Sequence, residues 1–359
     1  MDSAQDQTSM TGQVAKLEEK LKTANLPSDL LEKINTMLAM LKVSMNGGVN
    51  AFMNYEGVAK YVEWVVSLPF NKITTDVLDL NAAKQILDKN HYGLESVKNR
   101  ILEYLAEIML NLKNNPDPDA IARAPILCLI GLVGTGKTTL AYSIAEALGR
   151  KFERIPFGGM GDARILRGQS RAFPDAEPGS IIKRLVHAQS KNSVILLDEL
   201  DRVTEQARAD IMGVLVELLD PGQNKGFLDH YIDYPFDLSK CIFIATANNT
   251  TNISTAVMDR LELVQMPSYT DDEKVVIAKT YLFPKIKKQA GLLDNQLIID
   301  EPIWPNIIRP LGFDSGIRSL ERTIEGICRK TARLVVEGKV PQGQTVHVTA
   351  ENLKQFLPS

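Results

Sequence analysis

Apolar residues recur every three or four positions through the N-terminal part of the chain. The positions that follow this spacing are Val14, Leu17, Leu21, Leu31, Ile34, Leu38 and Leu41. Residues three or four apart lie on the same face of an α-helix, so each group predicts a helix with one apolar stripe. We predict a helical region over residues 12–79, preceded by a disordered tail at residues 1–11 and closed by a connector at residues 73–79.

The pattern changes beyond residue 119, where short apolar runs of strand length alternate with helical stretches. These runs occupy residues 126–130, 194–197, 241–245 and 261–266. Strands that alternate with helices predict an α/β fold, with a parallel sheet and helices on both faces. We assign residues 80–268 to this large domain. Residues 269–359 are mostly helical in pattern and are assigned to a second, smaller domain.

Composition limits the classes of function without choosing among them. The 359 residues carry a formal net charge of −3 and are 44% hydrophobic, which is ordinary for a soluble globular protein. No apolar run approaches the ~18 residues that span a bilayer, and the start has no signal-peptide pattern. We therefore expect a cytoplasmic protein without a membrane partner. The cysteines and histidines show no metal-ligand spacing, so the only metal expected is one bound through a nucleotide.

Residues 131–138 form a glycine-rich sequence that fits G-x-x-x-x-G-K-[ST]. Glycines let backbone N–H groups turn inward around phosphate oxygens, and a preceding strand and a following helix are the context that this P-loop motif requires. Lys137 would contact the β- and γ-phosphates, and the Thr138 hydroxyl would bind Mg²⁺. We predict ATP and Mg²⁺ as cofactors. The candidate ATP-binding residues here are Gly131, Leu132, Val133, Gly134, Thr135, Gly136, Lys137, Thr138 and Thr139.

Two acidic residues follow the apolar run at residues 194–197. Asp198, at the tip of this predicted strand, is positioned to hold the magnesium ion, and Glu199 to polarise an attacking water molecule. A strand followed by an acidic helix cap is the alternative interpretation. The presence of a P-loop upstream favours the nucleotide site, and a pair of acids favours hydrolysis over phosphoryl transfer to a substrate.

Two further polar residues follow later strands. Asn248 ends the strand that begins near residue 241, and it would face the γ-phosphate if that strand lies beside the one that carries Asp198. Arg260 precedes the last strand of the large domain. A surface salt bridge is the default interpretation of Arg260, whereas a catalytic arginine finger requires a ring in which each subunit completes its neighbour's site.

These motifs, together with Gly-Ile-Arg-Ser-Leu-Glu-Arg at residues 316–322, resemble the AAA+ ATPases and specifically the Lon family. The stretch at residues 88–106 resembles the Lon segment just ahead of the P-loop. Residues 219–224, 229–231, 235–240 and 327–330 also resemble Lon sequences. The similarity runs from about Leu17 to the C-terminus and is weakest at its N-terminal end.

The resemblance implies roles for residues that spacing alone does not explain. It places Tyr92 against the adenine with His91 beside it, makes Asn248 the sensor-1 residue, and makes Arg260 an arginine finger acting in trans. Arg318 becomes the sensor-2 residue, reaching the γ-phosphate from the small domain. The resemblance also implies a homohexameric ring that threads unfolded or misfolded proteins through a central channel. Because Lon proteins bind DNA, weak DNA binding is a further expectation.

The sequence departs from the family pattern in the channel loop and in the P-loop. Where the family has an aromatic, an aliphatic and a glycine, this chain has Phe173, Pro174 and Asp175. Phe173 and Pro174 are the candidate substrate-channel residues. Phe173 can intercalate between substrate side chains, whereas an aromatic folded back on the domain is the alternative. The family's Pro-Pro-Gly-Val is replaced by residues 132–135, a change that the backbone cradle should tolerate.

A Ser–Lys protease motif is absent from the sequence, which ends at Ser359. In the Lon family the proteolytic domain follows the small AAA+ domain. We therefore expect the ATP-hydrolysing motor of an ATP-dependent serine protease, coupling hydrolysis to unfolding and translocation. Joined to a protease domain, it would act as an ATP-dependent endopeptidase. The alternatives are a stand-alone AAA+ chaperone or ATP-gated scaffold, and a DNA-associated AAA+ protein.

Overall fold

The computed structural model describes residues 10–44, 49–114, 124–308, 316–341 and 344–357. Residues 1–9 of the predicted disordered tail lie outside these ranges. Residues 115–119 also lie outside them; their sequence, rich in Asn, Asp and Pro, predicts a loop before the first strand. Within the described ranges, no helix has the length and apolar character needed to cross a bilayer.

In its described residues the N-terminal segment contains the helices α1 (Met10–Thr23), α2 (Ser28–Ser44) and α3 (Val49–Ser67). The apolar stripes of α1 and α2 are buried as the spacing predicts, although Leu30 is fully buried where the pattern favoured Leu31. The segment packs against the large domain. Tyr61 of α3 is 0% exposed, and its hydroxyl donates a hydrogen bond of 3.0 Å to the carbonyl oxygen of Ile232.

The large domain is built on five parallel strands in the order β2-β3-β6-β1-β7. They are β1 (Ile126–Ile130), β2 (Phe152–Pro156), β3 (Val194–Asp198), β6 (Ile242–Ala247) and β7 (Leu261–Gln265). Two short strands, β4 (Phe227–Asp229) and β5 (Tyr234–Phe236), form a separate antiparallel hairpin. The α/β fold class predicted from the sequence is confirmed. Because β3 and β6 are neighbours, the condition placed on Asn248 is met.

Helices cover both faces of the sheet. Those that precede or connect its strands are α4 (Leu80–Asn90), α5 (Glu95–Asn114), α6 (Lys137–Ala147), α7 (Arg164–Arg167), α8 (Ser180–Ala188), α9 (Arg208–Leu218) and α10 (Thr255–Met258). Ile195 and Leu197 of β3 join a core shared with α1–α3, α8 and α9. Val194 and Leu196 join the opposite core, shared with α4–α6 and the small domain. Successive strand residues thus point to opposite, fully covered faces.

The pattern of apolar runs did not predict β2. Only Glu153 and Ile155 of its five residues are buried, since β2 lies at the edge of the sheet and one side of it faces solvent. A search for continuous apolar runs therefore passes over it. Its pairing with β3 is nonetheless regular, from Phe152 opposite Val194 to Pro156 opposite Asp198.

Where the structure describes it, the small domain contains helices and a pair of short strands. Its helices are α11 (Asp271–Ile277), α12 (Phe283–Gln289), α13 (Trp304–Ile308), α14 (Arg318–Val336) and α15 (Leu353–Phe356), with a π-helical turn at Ala278–Leu282. A short strand, β9 (Val346–Val348), lies between α14 and α15. It pairs in parallel with β8 (Leu297–Ile299), which the sequence pattern did not predict.

The connector between the N-terminal helices and α4 crosses the large domain through specific polar contacts. The Arg150 guanidinium, 1% exposed, donates to both carboxylate oxygens of Asp76 at 2.7 and 2.8 Å. Arg150 also donates to the carbonyl oxygen of Lys240 at 2.8 Å. These contacts fix the connector to the large domain. Because the Arg150 charge is buried, no water molecule can replace a contact that is lost.

We expect Asp76→Ala to lower the free energy of unfolding by about 3–5 kcal/mol, because it leaves the buried Arg150 charge unpaired. Denaturant-induced unfolding followed by circular dichroism measures this change. Glu18→Ala is the control, since it breaks an exposed pair with Lys42 (37% and 49% exposed) and should cost less than about 1 kcal/mol. Equal costs in the two variants would show that the Asp76–Arg150 pair does not anchor the connector.

Candidate functional site

The P-loop connects β1 to α6 and wraps around the side chain of Lys137. Gly134 and Gly136 have φ angles of 85° and 91°, in the left-handed region that favours glycine. The Lys137 ammonium, in a residue 8% exposed, donates to the carbonyl oxygens of Gly131 and Leu132 at 2.6 and 3.0 Å. Burial lowers the pKa of Lys137, and the nearby carboxylates of the strand ends oppose that shift. The loop thus encloses one positive charge at the start of a helix, an arrangement suited to anions.

Asp198 lies at the tip of β3, in a residue 3% exposed. One carboxylate oxygen, Oδ2, accepts a hydrogen bond of 2.6 Å from Nε of Arg154 on the neighbouring strand β2, and Nη2 of the same guanidinium lies 2.6 Å away in an ion pair. The other, Oδ1, accepts from the Thr246 hydroxyl on β6. Sequence reasoning missed Arg154 because it missed β2. The burial of β2 alternates, but its Phe-Glu-Arg-Ile-Pro sequence does not alternate in polarity, so the local pattern carried no signal for it.

Glu199 turns the chain sharply at the end of β3. Its φ and ψ angles are 61° and 51°, which few residues other than glycine adopt. Its carboxylate lies against Gly158, where an added Cβ would come within 2.9 Å of Glu199 Oε2. Non-glycine residues in the left-handed region are typical of functional sites, because the surrounding structure must stabilise this unfavourable backbone conformation.

Asn248 follows β6 and faces the P-loop lysine. Its Oδ1 accepts a hydrogen bond of 3.1 Å from Lys137 Nζ. Among the described residues, no partner reaches its buried Nδ2 donor. Its backbone N–H donates to Asp201 Oδ1 at 3.0 Å, and Asp201 is 5% exposed. Asp201 was not predicted from the sequence either. The available signal was that Asp201 is the third acidic residue in the four-residue stretch that begins at Asp198.

The small domain closes one side of the P-loop. The N–H of Ile317 donates to the carbonyl oxygen of Gly134 at 3.1 Å. An added Cβ on Gly316 would lie 2.4 Å from the carbonyl oxygen of Val133, so this close approach requires glycine. Arg318 comes next, at the start of α14. The contact between the two domains therefore brings Arg318 to the P-loop.

These elements enclose a cavity of 160 Å³ at the carboxyl edge of the sheet. Its lining consists of Val133, Gly134, Gly136, Lys137, Thr138, Thr139, Asp198, Glu199, Asn248, Ile317, Arg318 and Glu321. Gly131, Leu132 and Thr135, also predicted to bind ATP, are not part of the lining. Instead they hold the loop, since the Thr135 hydroxyl donates to the Leu132 carbonyl oxygen at 2.9 Å.

A second cavity, of 440 Å³, adjoins the first and is bounded by α4, α6 and the small domain. The two share Gly136, Thr139, Ile317 and Glu321. His91 and Tyr92 line the second cavity, together with aromatic and aliphatic residues that include Tyr269, Ile277, Tyr281 and Leu282. A cavity lined by charged side chains beside one lined by aromatic and aliphatic residues matches the two ends of a nucleotide.

His91 is buried, at 6% exposure, and its Nε2 lies 2.9 Å from the Ser143 hydroxyl of α6. Burial, assisted by the positive charge of Lys98, lowers the pKa of His91 to about 4. The ring is therefore neutral near pH 7 and fastens the end of α4 to α6. Tyr92, by contrast, is 36% exposed.

Arg260 lies apart from both cavities. It is not among the described residues that line either of them. Its guanidinium donates to Asp220 Oδ2 at 3.1 Å and to the Ala256 carbonyl oxygen at 2.7 Å. Its buried Nε has no hydrogen-bond partner in the described part of the chain. The structure thus brings Lys137, Asp198 and Asn248 together and leaves Arg260 outside their site.

Phe173 and Pro174 lie in the segment between α7 and α8. Phe173 is 60% exposed, so it does not fold back into the domain. The segment is anchored at its C-terminal base by Asp229, whose Oδ2 accepts a hydrogen bond of 2.7 Å from the N–H of Gly179. The neighbouring Arg171 guanidinium lies 3.9 Å above the ring of Tyr61 in the N-terminal helices.

Comparison with known proteins decides the family. Residues 127–269 match the ATPase family associated with various cellular activities (AAA). Residues 288–344 match the Lon protease AAA+ ATPase lid domain. This chain is an AAA+ ATPase module of the Lon family. Binding of nucleotide follows from membership of the AAA family.

Curated relatives named Lon protease match nearly the whole of this Lon-family chain. Those of Lawsonia intracellularis and Syntrophomonas wolfei are 41% and 43% identical over 96% and 97% of the chain. That of Desulforamulus reducens is 46% identical over 84% of it. The chain spans 40%, 41% and 36% of the respective lengths of these three relatives.

The residues of the cavity fit a magnesium-bound nucleotide. The left-handed glycines leave backbone N–H groups for phosphate oxygens, and the unpartnered Asn248 Nδ2 provides a buried donor at the same place. In the described part of the chain, no three His, Cys, Asp or Glu side chains form a metal cage. Magnesium suits such a site, since it keeps several water ligands and is usually bound through one or two carboxylates together with phosphates.

We expect the stability of this module to fall as the pH falls from about 6.5 to about 4, in part because of His91. In that range the unfolded chain binds a proton on His91 that the folded chain excludes, so acid favours unfolding. His91→Gln should therefore reduce the loss of unfolding free energy across this range by about 3 kcal/mol. Denaturation curves at several pH values measure the difference.

Ser143→Ala is the control for this prediction. It removes the hydroxyl that contacts His91 but keeps the imidazole, so it should lower stability without abolishing the pH dependence. If His91→Gln and the unmodified chain lose stability equally over the same pH range, His91 is not the group responsible.

Proposed function

We propose that this module hydrolyses Mg²⁺-bound ATP in the cavity at the carboxyl edge of the sheet. One observation carries the proposal. The fold brings a buried lysine, a carboxylate pair and an unpartnered asparagine donor from three different strand ends to one cavity, with an arginine from the small domain. This set matches the requirements of phosphoryl transfer to water, for which catalysis is mainly positioning and charge stabilisation.

The proposed roles follow from position in the cavity. Lys137 stabilises charge on the β- and γ-phosphate oxygens. The Thr138 hydroxyl and Asp198 hold magnesium, which supplies neutralising charge to the phosphates when bound. Glu199 accepts a proton from the attacking water, and Asn248 orients that water or the γ-phosphate.

Other residues of the module have proposed roles in adenine binding and in coupling the small domain to the nucleotide. The adjoining 440 Å³ cavity receives the adenine, with Tyr92 in contact with it and His91 fixing the wall. Arg318 reaches the γ-phosphate and makes lid position sensitive to nucleotide. We retain residues 80–268 and 269–359 as the large and small AAA+ domains, and residues 12–79 as the N-terminal helical region.

The position of Arg260 supports an assembly in which it acts on a neighbouring subunit. In its own chain it is held by Asp220, and it lies outside both described cavities. A homohexameric ring would place it at the next subunit's γ-phosphate. Charge-stabilising arginines supplied in trans are common in enzymes of this chemistry.

We further propose that hydrolysis drives the unfolding and translocation of protein substrates. The exposed Phe173 supports this, because an aromatic at the tip of an anchored loop can grip a chain. The relatives named Lon protease support delivery of substrate to a proteolytic domain. Weak DNA binding is a secondary expectation from the family. Substrate-stimulated turnover would distinguish the motor from an ATP-gated scaffold, for which protein should leave turnover unchanged.

Glu199→Gln is expected to lower kcat for ATP by at least about 100-fold while leaving nucleotide affinity within a few-fold, because only the proton acceptor is lost. Phosphate release under saturating ATP, together with the Kd of a fluorescent ATP analogue, measures both quantities. Glu103→Gln, on an exposed helix position with a side chain 67% exposed, is the control. Undiminished turnover in Glu199→Gln would contradict the role given to Glu199.

Mixing two inactive variants tests Arg260. Arg260→Ala and Lys137→Ala chains should each lack turnover alone. Mixed assemblies should regain part of it, since a chain with intact Lys137 can receive Arg260 from its neighbour. Native mass spectrometry with and without ATP defines the assembly. Failure of the mixture to exceed either variant, in assemblies shown to contain both, would contradict action in trans.

A further inference from the structure

A buried threonine links the two acidic residues of the catalytic edge. Thr246, on β6, is 0% exposed and lies beside the end of β3. Its Oγ1 accepts a hydrogen bond of 2.9 Å from the backbone N–H of Glu199. The same hydroxyl donates to Asp198 Oδ1. One hydroxyl group therefore contacts both residues that the proposed function places at magnesium and water.

The directions of these hydrogen bonds are fixed by chemistry. A backbone amide can only donate, and an ionised carboxylate can only accept. A hydroxyl offers one hydrogen and two lone pairs, so it can satisfy both neighbours at once. Neither an alkyl side chain nor a carbonyl group could make this pair of contacts.

The contact explains how Glu199 keeps its unusual backbone conformation. Regular pairing between β3 and β6 ends with Leu197 opposite Ala245. Beyond it Glu199 adopts φ 61° and ψ 51°, and its N–H turns to the side chain of Thr246 instead of a backbone carbonyl. Without that acceptor the part-buried amide would be left unpaired, and the residue would relax toward the extended region that non-glycine residues prefer.

A reciprocal contact strengthens the link between the strand ends. Asp201, which follows β3, accepts from the N–H of Asn248, which follows β6. Thus each strand supplies a side chain that holds the backbone of the other. Movement of one strand end would shift Glu199 and Asn248 together.

We propose that Thr246 is a positioning residue for ATP hydrolysis, because its hydroxyl holds Glu199 in the left-handed conformation and orients the Asp198 carboxylate. The proposal rests on the proposed function for its catalytic consequence, but the structural link does not depend on turnover. Loss of the hydroxyl should misplace the Glu199 carboxylate while leaving the P-loop that binds the phosphates intact.

A matched pair of variants isolates the hydroxyl. Thr246→Ser and Thr246→Ala both remove the γ-methyl group, and only the alanine variant also removes the oxygen. We expect Thr246→Ala to lower kcat by about 10- to 100-fold, since small misplacement of a catalytic group has effects of this size. In Thr246→Ala we expect KM and the Kd for ADP to change by less than about threefold. We expect Thr246→Ser to retain most of the turnover.

Hydrogen–deuterium exchange provides a readout that needs no nucleotide. The Glu199 amide should exchange faster in Thr246→Ala than in Thr246→Ser, as only the serine variant keeps its acceptor. Thermal unfolding of both variants reports any general loss of stability. If the alanine variant does not fold, Thr246→Val, which nearly preserves side-chain volume, takes its place in each comparison with serine.

Equal effects of serine and alanine on kcat, or equal amide exchange, would overturn the proposal, since the methyl group and not the hydroxyl would then matter. Undiminished kcat in the variant without the hydroxyl would overturn it as well. Absence of turnover in the unmodified chain would instead refute the proposed ATP hydrolysis. In that case the exchange comparison still decides whether Thr246 holds Glu199.

Discussion

The rest of the structure depends on a parallel sheet whose two faces must both be covered. Strands β1, β3 and β6 are buried throughout, and their apolar side chains alternate between opposite cores. One core is completed by the N-terminal helices with α8 and α9, and the other by α4–α6 with the small domain. Because neither face is available for polar chemistry, functional residues collect at the carboxyl edge, where the strands end and the loops begin.

Electrostatics at that edge explain why the site is built from opposed charges. Lys137 is buried among carbonyl oxygens, and the carboxylates at the end of β3 offset the cost of its burial. Asp198 is in turn paired with Arg154 across the sheet. A buried charge is tolerable only when it is paired and hydrogen-bonded, so these groups specify one another's positions. The same network leaves the buried Nδ2 donor of Asn248, a residue that lines the cavity, without a partner among the described residues.

The small domain contributes to the site through close backbone approach as well as through Arg318. Gly316 lies against the P-loop at a distance that excludes any side chain, and Ile317 donates to the loop backbone. The P-loop and the first turn of α14 therefore form adjoining walls of one cavity. A change in the small domain must alter that cavity, and this gives a physical route by which nucleotide state can be coupled to domain movement.

The sequence by itself determined the elements that follow from local pattern. The P-loop, the Asp198–Glu199 pair and the four apolar strands were predictable, because phosphate binding and strand burial each require particular residues at short spacing. The edge strand β2 and the strand β8 were not predictable in this way, since half-exposed or very short strands lack a continuous apolar run. Arg154 was consequently missed as a member of the site. Thr246 was missed although its strand was predicted, because its role depends on which strand lies beside β6.

Only the tertiary structure decided which strand ends meet and which side chains face one another. The order β2-β3-β6-β1-β7 places residues from distant parts of the chain beside Asp198, and no local pattern encodes that order. The separation of Arg260 from the cavity and the exposure of Phe173 were likewise decided by packing. Local sequence specifies the chemistry of each group, whereas the burial of both sheet faces determines which groups come together.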